Sequence, residues 1–123
     1  MSKNYRETHA PEKRLEEFNR IKIKHPDKIP IIVEKAKTST LPDIDKCKFL
    51  IPADVTVGQF QAILRNRISL KPDEAIFMFT DDMTLPVAAM TMGELYKQHH
   101  ATVNGQGEFS YFLICNESTF GSL

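Results

Sequence analysis

The segment Lys28-Ile-Pro-Ile-Ile-Val-Glu-Lys35 carries apolar side chains at both parities, with Ile29, Ile31 and Val33 alternating with Pro30 and Ile32. Successive side chains of a strand point to opposite faces, so a strand built from this segment must be largely covered on both sides. Pro30 near its start is tolerable, because a residue that donates no ladder bond belongs at a strand end. Thr38 to Asp45, with Pro42 and two aspartates, reads as a loop, and Lys48 to Pro52 as a second strand with Phe49 and Ile51 on one face and Lys48 and Leu50 on the other. Strand, turn-rich loop and strand predict a hairpin-like pair.

Helices are predicted around this pair. Pro11 fits a first helical turn, where its missing N–H has no partner to lose, and Leu15, Phe18, Ile21 and His25 follow at helical spacing until Pro26 stops the run. The expectation is an amphipathic helix over Pro11 to Lys24, preceded by a helical turn within Ser2 to Thr8. Thr56-Val-Gly-Gln59 and Thr91-Met-Gly-Glu94 both have capping-box spacing and open two more helices. The first should bury Phe60, Ile63, Leu64 and Ile68, and the second runs towards His100. Ile76 to Phe79 is a short strand, Ala101 to Glu108 a flexible connection, and Ser110 to Asn116 a near-continuous apolar run suited to the centre of a sheet.

In order, these elements give an α+β chain. Beyond an N-terminal helical arm (1–25), strand-strand-helix-strand-strand with one extra short helix is the order of the ubiquitin-like β-grasp fold. It occupies 26–117, followed by a tail over 118–123. At 123 residues and 41% hydrophobic content, one compact domain is expected. The longest strongly apolar run, Tyr111 to Cys115, is far too short to span a bilayer, and the N-terminus lacks the apolar stretch of a secretory signal. The expected compartment is the cytosol, where Cys47 and Cys115 are read as reduced thiols. The chain has 16 basic and 16 acidic residues, yet the first 28 carry eight basic against five acidic side chains. Such an excess reads first as a solvated helix face, and second as a weak patch for acidic partners or anionic lipid.

No catalytic constellation stands out. Cys47 lies in a Lys-rich strand entry and Cys115 in a core strand, so two ordinary thiols are the first reading, and a spatial pair of Cys47 with His25 or His99 is the alternative that spacing leaves open. His99 and His100, adjacent on a helix, point about 100° apart and lack further ligands at metal-binding spacing. No glycine-rich phosphate loop is present. The informative features are the outward apolar groups Pro30, Ile32 and Leu50, which a helix can simply cover or which can line a groove for a peptide, and a glycine, Gly121, two residues from the end of a polar tail.

Glu12-Lys-Arg14, Ile29-Pro-Ile-Ile-Val-Glu-Lys35, Asp43-Ile-Asp-Lys46, Ile51-Pro-Ala-Asp-Val-Thr-Val-Gly-Gln-Phe60, Ala75-Ile-Phe77 and Thr119-Phe-Gly121 together closely resemble the ubiquitin-like autophagy modifiers of the GABARAP type. The resemblance implies a β-grasp domain with a four-stranded mixed sheet and two extra N-terminal helices. It implies that a cysteine protease removes Ser122 and Leu123, and that Gly121, preceded by Phe120, passes through E1-like and E2-like enzymes to phosphatidylethanolamine. The protein would then be a conjugation substrate, attached to autophagosomal membranes after lipidation. No cofactor, metal or nucleic-acid partner is expected, and a monomer in solution is the default, since the sequence does not reveal the oligomeric state. Two acyl chains meet the usual requirement for stable anchoring.

The resemblance also implies two pockets for autophagy receptors bearing a short aromatic-x-x-aliphatic motif. Glu17, Ile21, Pro30, Ile32, Lys48, Leu50 and Phe109 match the aromatic pocket, and Phe49, Ile51, Pro52, Val55, Phe60 and Ile63 the aliphatic one. Lys28, Lys46 and Arg67 suit acidic flanks of the motif. Met83, the longer segment Ala101 to Glu108, and Cys47 in place of a basic residue depart from the family pattern. The alternative is a non-conjugated trafficking or microtubule-associated module using the basic N-terminal helices on acidic surfaces, with an enzyme a distant third.

Overall fold

A computed structural model describes residues 4–37, 39–44 and 47–116. Its elements are α1 (Tyr5–Thr8), α2 (Pro11–Lys24), β1 (Lys28–Lys35), β2 (Lys48–Pro52), α3 (Val57–Arg67), β3 (Phe77–Thr80), α4 (Met92–Gln98), β4 (Thr102–Val103), β5 (Gln106–Gly107) and β6 (Ser110–Cys115). β1 pairs antiparallel with β2 and parallel with β6, which pairs antiparallel with β3, so the mixed sheet has the order β2-β1-β6-β3. The apolar run of β6 sits in the interior of the sheet, and β2 forms one edge.

The two parities of β1 face two different layers. Ile29, Ile31 and Val33 join Phe49 and Ile51 of β2, Val57, Phe60 and Leu64 of α3, and Met92 and Leu95 of α4 in the main core. Ile32, from the other parity, is buried with Phe18 of α2, Tyr5 of α1, Phe109 and Tyr111 in a second core. The N-terminal helices thus cover the outer face of the sheet, as the pattern of β1 demanded.

Local signals account for the helix limits. In α3 the Thr56 hydroxyl accepts from the Gln59 N–H while the Gln59 side chain accepts from the Thr56 N–H, and Thr91 and Glu94 do the same for α4. A third capping box, Asn4 with Glu7, opens α1. α3 departs from its expected stripe at one position: Ile63 is 42% exposed, whereas Phe60, Leu64 and Ile68 are buried. At about 100° per residue, Val57, Leu64 and Ile68 fall on one side of Phe60 and Ile63 about 60° off on the other, at the edge of the buried arc. α2 also differs, burying Arg14 and Phe18 while Leu15, Ile21 and His25 are only half-buried.

The segment Ala101 to Glu108 is a hairpin, not the expected flexible connection. β4 and β5 pair through Thr102–Gly107 and Val103–Gln106. Asn104 (φ 51°) and Gly105 (φ 80°) form its two-residue turn in the left-handed region that such tight hairpins require. Its base is tied by the Ala101 N–H donating to the Phe109 carbonyl and the Glu108 N–H to that of Ala101, at 3.1 and 2.8 Å.

Candidate receptor groove

Between α2 and the edge strand β2 lies a groove of about 350 Å3 lined by Arg20, Ile21, Lys24, His25, Pro30, Lys48, Phe49, Leu50 and Phe109. Register explains the composition of its sheet side. Pro30 stands opposite Leu50 and Ile32 opposite Lys48, so all four side chains share the outer face. α2 covers Ile32 completely and stops short of Leu50, which stays half-buried. The result is an apolar trough with cationic groups on its walls. Beyond it, β2 has no second strand partner among the described residues, so its outer edge can accept an extended peptide.

The groove's rim is tied to both N-terminal helices. The Glu17 carboxylate accepts from the Lys48 ammonium through Oε1 and from the Tyr5 hydroxyl through Oε2, each at 2.5 Å, with Arg20 3.7 Å from Oε1. Partial burial pushes Glu17 up, but the hydrogen bonds from Lys48 and Tyr5 outweigh it and hold the carboxyl below its ordinary range. Tyr5 is pushed far up, by burial first and then by its bond to Glu17, so it remains a neutral donor. The Lys48 ammonium also lies 5.2 Å from the Tyr5 ring centroid, within cation–π range.

Five of the seven residues expected in the aromatic pocket line this groove: Ile21, Pro30, Lys48, Leu50 and Phe109. Ile32 is instead enclosed in the second core, because α2 lies directly over it. Glu17 stands behind Lys48 as its partner. Phe49, expected in the aliphatic pocket, also belongs to this lining; Arg20, Lys24 and His25 were missed, and the spacing of Lys24 to Ile21 (i,i+3) and to Arg20 (i,i+4), with His25 at i,i+4 from Ile21, is the signal that could have found them. Of the aliphatic set, Phe49, Ile51 and Phe60 are main-core residues, with the Phe49 and Phe60 rings edge-to-face at 5.5 Å, and Val55 packs against that core. Pro52 and Ile63 are exposed beside them. Lys28 is half-buried at the start of β1 and Arg67 exposed at the end of α3, while Lys46, Phe120 and Gly121 lie outside the described residues.

The remaining chemistry-bearing side chains have structural partners. Burial and then the Glu34 carboxylate push the Cys47 thiol up, the reverse of an activated nucleophile, and Cys115 is buried. His99 Nδ1 is 3.6 Å from the Asp82 carboxylate, and His100 stacks on Tyr96 with centroids 4.6 Å apart. Among the described residues, no group of three or more His, Cys, Asp or Glu is arranged to hold a metal ion.

A family model described as the ubiquitin-like autophagy protein Atg8 matches residues 13–121. The chain belongs to the Atg8 family. Among solved structures, the crystal structure of ATG8 from Trypanosoma brucei is similar, with a TM-score of 0.82 and 34% sequence identity over 98% of this chain and 100% of that one. The protein is thus an autophagy modifier of the ubiquitin-like class, with the β-grasp architecture and N-terminal helices of Atg8 proteins. Members of the Atg8 family are substrates and adaptors of a ubiquitin-like conjugation pathway rather than enzymes, and are associated with autophagosomal membranes. No helix among the described residues is long and apolar enough to cross a membrane.

Proposed function

We propose that this Atg8-family protein is cleaved after Gly121, conjugated through that residue to phosphatidylethanolamine, and used on the autophagosomal membrane as an adaptor for receptors carrying aromatic-x-x-aliphatic motifs. The observation that carries the adaptor role is the apolar groove between α2 and the unpaired edge of β2. An extended peptide adding to β2 places alternate side chains on one face, so an aromatic residue over Pro30, Leu50 and Phe109 can be held while its backbone pairs with the strand. The aliphatic residue three positions on would rest near Val55, Pro52 and Ile63, which border the main core. Lys48, Arg20 and Lys24 favour acidic residues beside the aromatic one, chiefly by accelerating encounter.

Membrane attachment through a covalent lipid is consistent with an Atg8-family chain in which no helix among the described residues is long and apolar enough to cross a bilayer. The cysteine protease, the E1-like and E2-like enzymes and the receptors are the partners this function requires, and the protein itself is not the catalyst.

Titration calorimetry with a peptide of the form acidic-Trp-x-x-Leu tests the adaptor role. Wild type should bind in the micromolar range, and Leu50→Ala should weaken it roughly tenfold by removing part of the apolar floor. Equal affinity of wild type and Leu50→Ala would move the site away from this groove.

A further inference from the structure

Tyr5, on α1, does not line the receptor groove, yet it shares an acceptor with the cation that does. The Glu17 carboxylate holds the Tyr5 hydroxyl on one oxygen and Lys48 on the other, both at 2.5 Å. α1 itself is anchored at several points. The Tyr5 N–H donates to the Glu34 carboxylate at 2.6 Å, Arg6 pairs with Asp81 at 2.7 Å and lies 3.9 Å from the Tyr111 ring centroid, and the Tyr5 ring meets Phe109 edge-to-face at 5.7 Å. The hydroxyl is therefore a fixed donor, presented to Glu17 by a helix whose hold on the sheet does not depend on Glu17.

We infer that Tyr5 is a positioning residue for the groove, and that by occupying half of the Glu17 carboxylate it loosens the hold of Glu17 on Lys48 and leaves that ammonium available to an acidic residue of the bound peptide. The physical basis is competition. A carboxylate delocalises one charge over two oxygens, so each strong donor it satisfies lowers its pull on the next. Without the phenol, the charge of Glu17 is directed to Lys48 and Arg20 alone, and a ligand carboxylate must compete with a tighter ion pair. The groove's preference for acidic over neutral peptides would thus be set from α1, through Glu17, without direct contact between Tyr5 and ligand. This inference rests on the receptor-groove reading and concerns its charge selectivity.

The test uses the full chain with two peptides, Asp-Trp-x-x-Leu and its Asn-Trp-x-x-Leu analogue, titrated against wild type, Tyr5→Phe, Glu17→Gln and the double variant. Tyr5→Phe keeps the ring and its contact with Phe109. It should reduce the Asp-over-Asn preference roughly threefold, the scale of one shared contact at a partly exposed ion pair, while leaving the Asn peptide nearly unchanged. Glu17→Gln should raise the preference, and adding Tyr5→Phe to it should then change nothing, since the ring that meets Lys48 is kept and the hydroxyl acts only through the carboxylate. A second readout needs no peptide: acylation of Lys48 by a water-soluble amine reagent, followed by peptide mass mapping, should slow in Tyr5→Phe. An unchanged Asp-over-Asn ratio with an unchanged Lys48 acylation rate in Tyr5→Phe would overturn the inference while leaving the groove in place, as would equal weakening of both peptides. If neither peptide binds wild type, the groove reading fails, and the inference fails with it.

Discussion

Arg14 and Glu108 stand 94 positions apart in the chain and meet in the interior, where the Arg14 Nε donates to both Glu108 carboxylate oxygens at 3.2 and 3.3 Å. Only 1% of the Glu108 side chain is exposed, and the Tyr111 hydroxyl adds a third hydrogen bond at 2.7 Å. The Arg14 Nη1 meanwhile donates to the His9 carbonyl, joining the end of α1 to the same cluster. The pair pins α2 to the residue preceding Phe109, and so fixes the spacing between helix and sheet on which the groove depends.

Breaking that pair should be costly because it strands a buried charge. Arg14→Met is expected to destabilise the fold by about 3–5 kcal/mol, and Arg14→Met with Glu108→Leu by clearly less, since no uncompensated carboxylate then remains. Urea denaturation of the two variants checks this; a double variant as unstable as the single one would show that the loss is steric rather than electrostatic.

Glu17 supplies an acid-dependent contribution. Its folded carboxyl lies below the ordinary range, so the stabilisation is fully present above the unfolded value near about pH 4.3 and fades as pH falls through the lowered folded value. Glu17→Gln should flatten the fall in the urea midpoint between about pH 6 and about pH 3 relative to wild type. Parallel curves for the two proteins would remove Glu17 from the acid response.

The turn of the β4–β5 hairpin can be tested at Gly105, whose φ of 80° penalises any side chain although nothing lies within 4 Å of a Cβ built there. Gly105→Ala should cost about 1–2 kcal/mol through backbone strain alone. Amide exchange at Ala101 and Glu108, the two donors at the hairpin base, should accelerate with it. Unchanged exchange at both would mean the hairpin holds without its turn.

Thr56 caps α3 and should matter independently of any packing. Thr56→Ala removes the acceptor of the Gln59 N–H and is expected to cost about 1 kcal/mol, whereas Thr56→Ser should be nearly neutral. Thermal unfolding of the three proteins distinguishes loss of the cap from loss of the methyl group, because a serine variant as unstable as the alanine one would implicate the methyl.

The elements that were legible from the amino acids are those with local signals. Pro11 and Pro26 bracket α2, the double-parity apolar pattern marks β1, and the two threonine capping boxes mark α3 and α4. Asn104-Gly105 is legible too, since that dipeptide is the strongest short hairpin signal, although glycines at 105 and 107 read equally as a flexible connection. What periodicity alone does not reveal is how α2 sits on the sheet. The helix buries Arg14 beside Phe18 while Leu15 stays half-buried, and the partner that makes a buried arginine tenable is Glu108, far away in sequence.

For the groove, the sheet side was accessible because Pro30, Lys48 and Leu50 follow from strand register and the family resemblance. Ile32 illustrates the limit of that reasoning. It shares the parity of Pro30, yet lies one step further under α2, so identical pattern positions end in a groove wall and in a sealed core. Arg20 and Lys24 went unassigned because cations on a helix exterior ordinarily mean only solvation, until β2 supplies the opposite wall.

The modifier claim is tested most directly by intact mass. Full-length protein and Gly121→Ala are incubated with a lysate that conjugates a control modifier, in the presence of phosphatidylethanolamine liposomes. Wild type should lose the mass of Ser122-Leu123 and gain one lipid, and Gly121→Ala should form no lipid adduct. A wild-type chain left at its original mass, or a lipid adduct on Gly121→Ala, would contradict conjugation through Gly121.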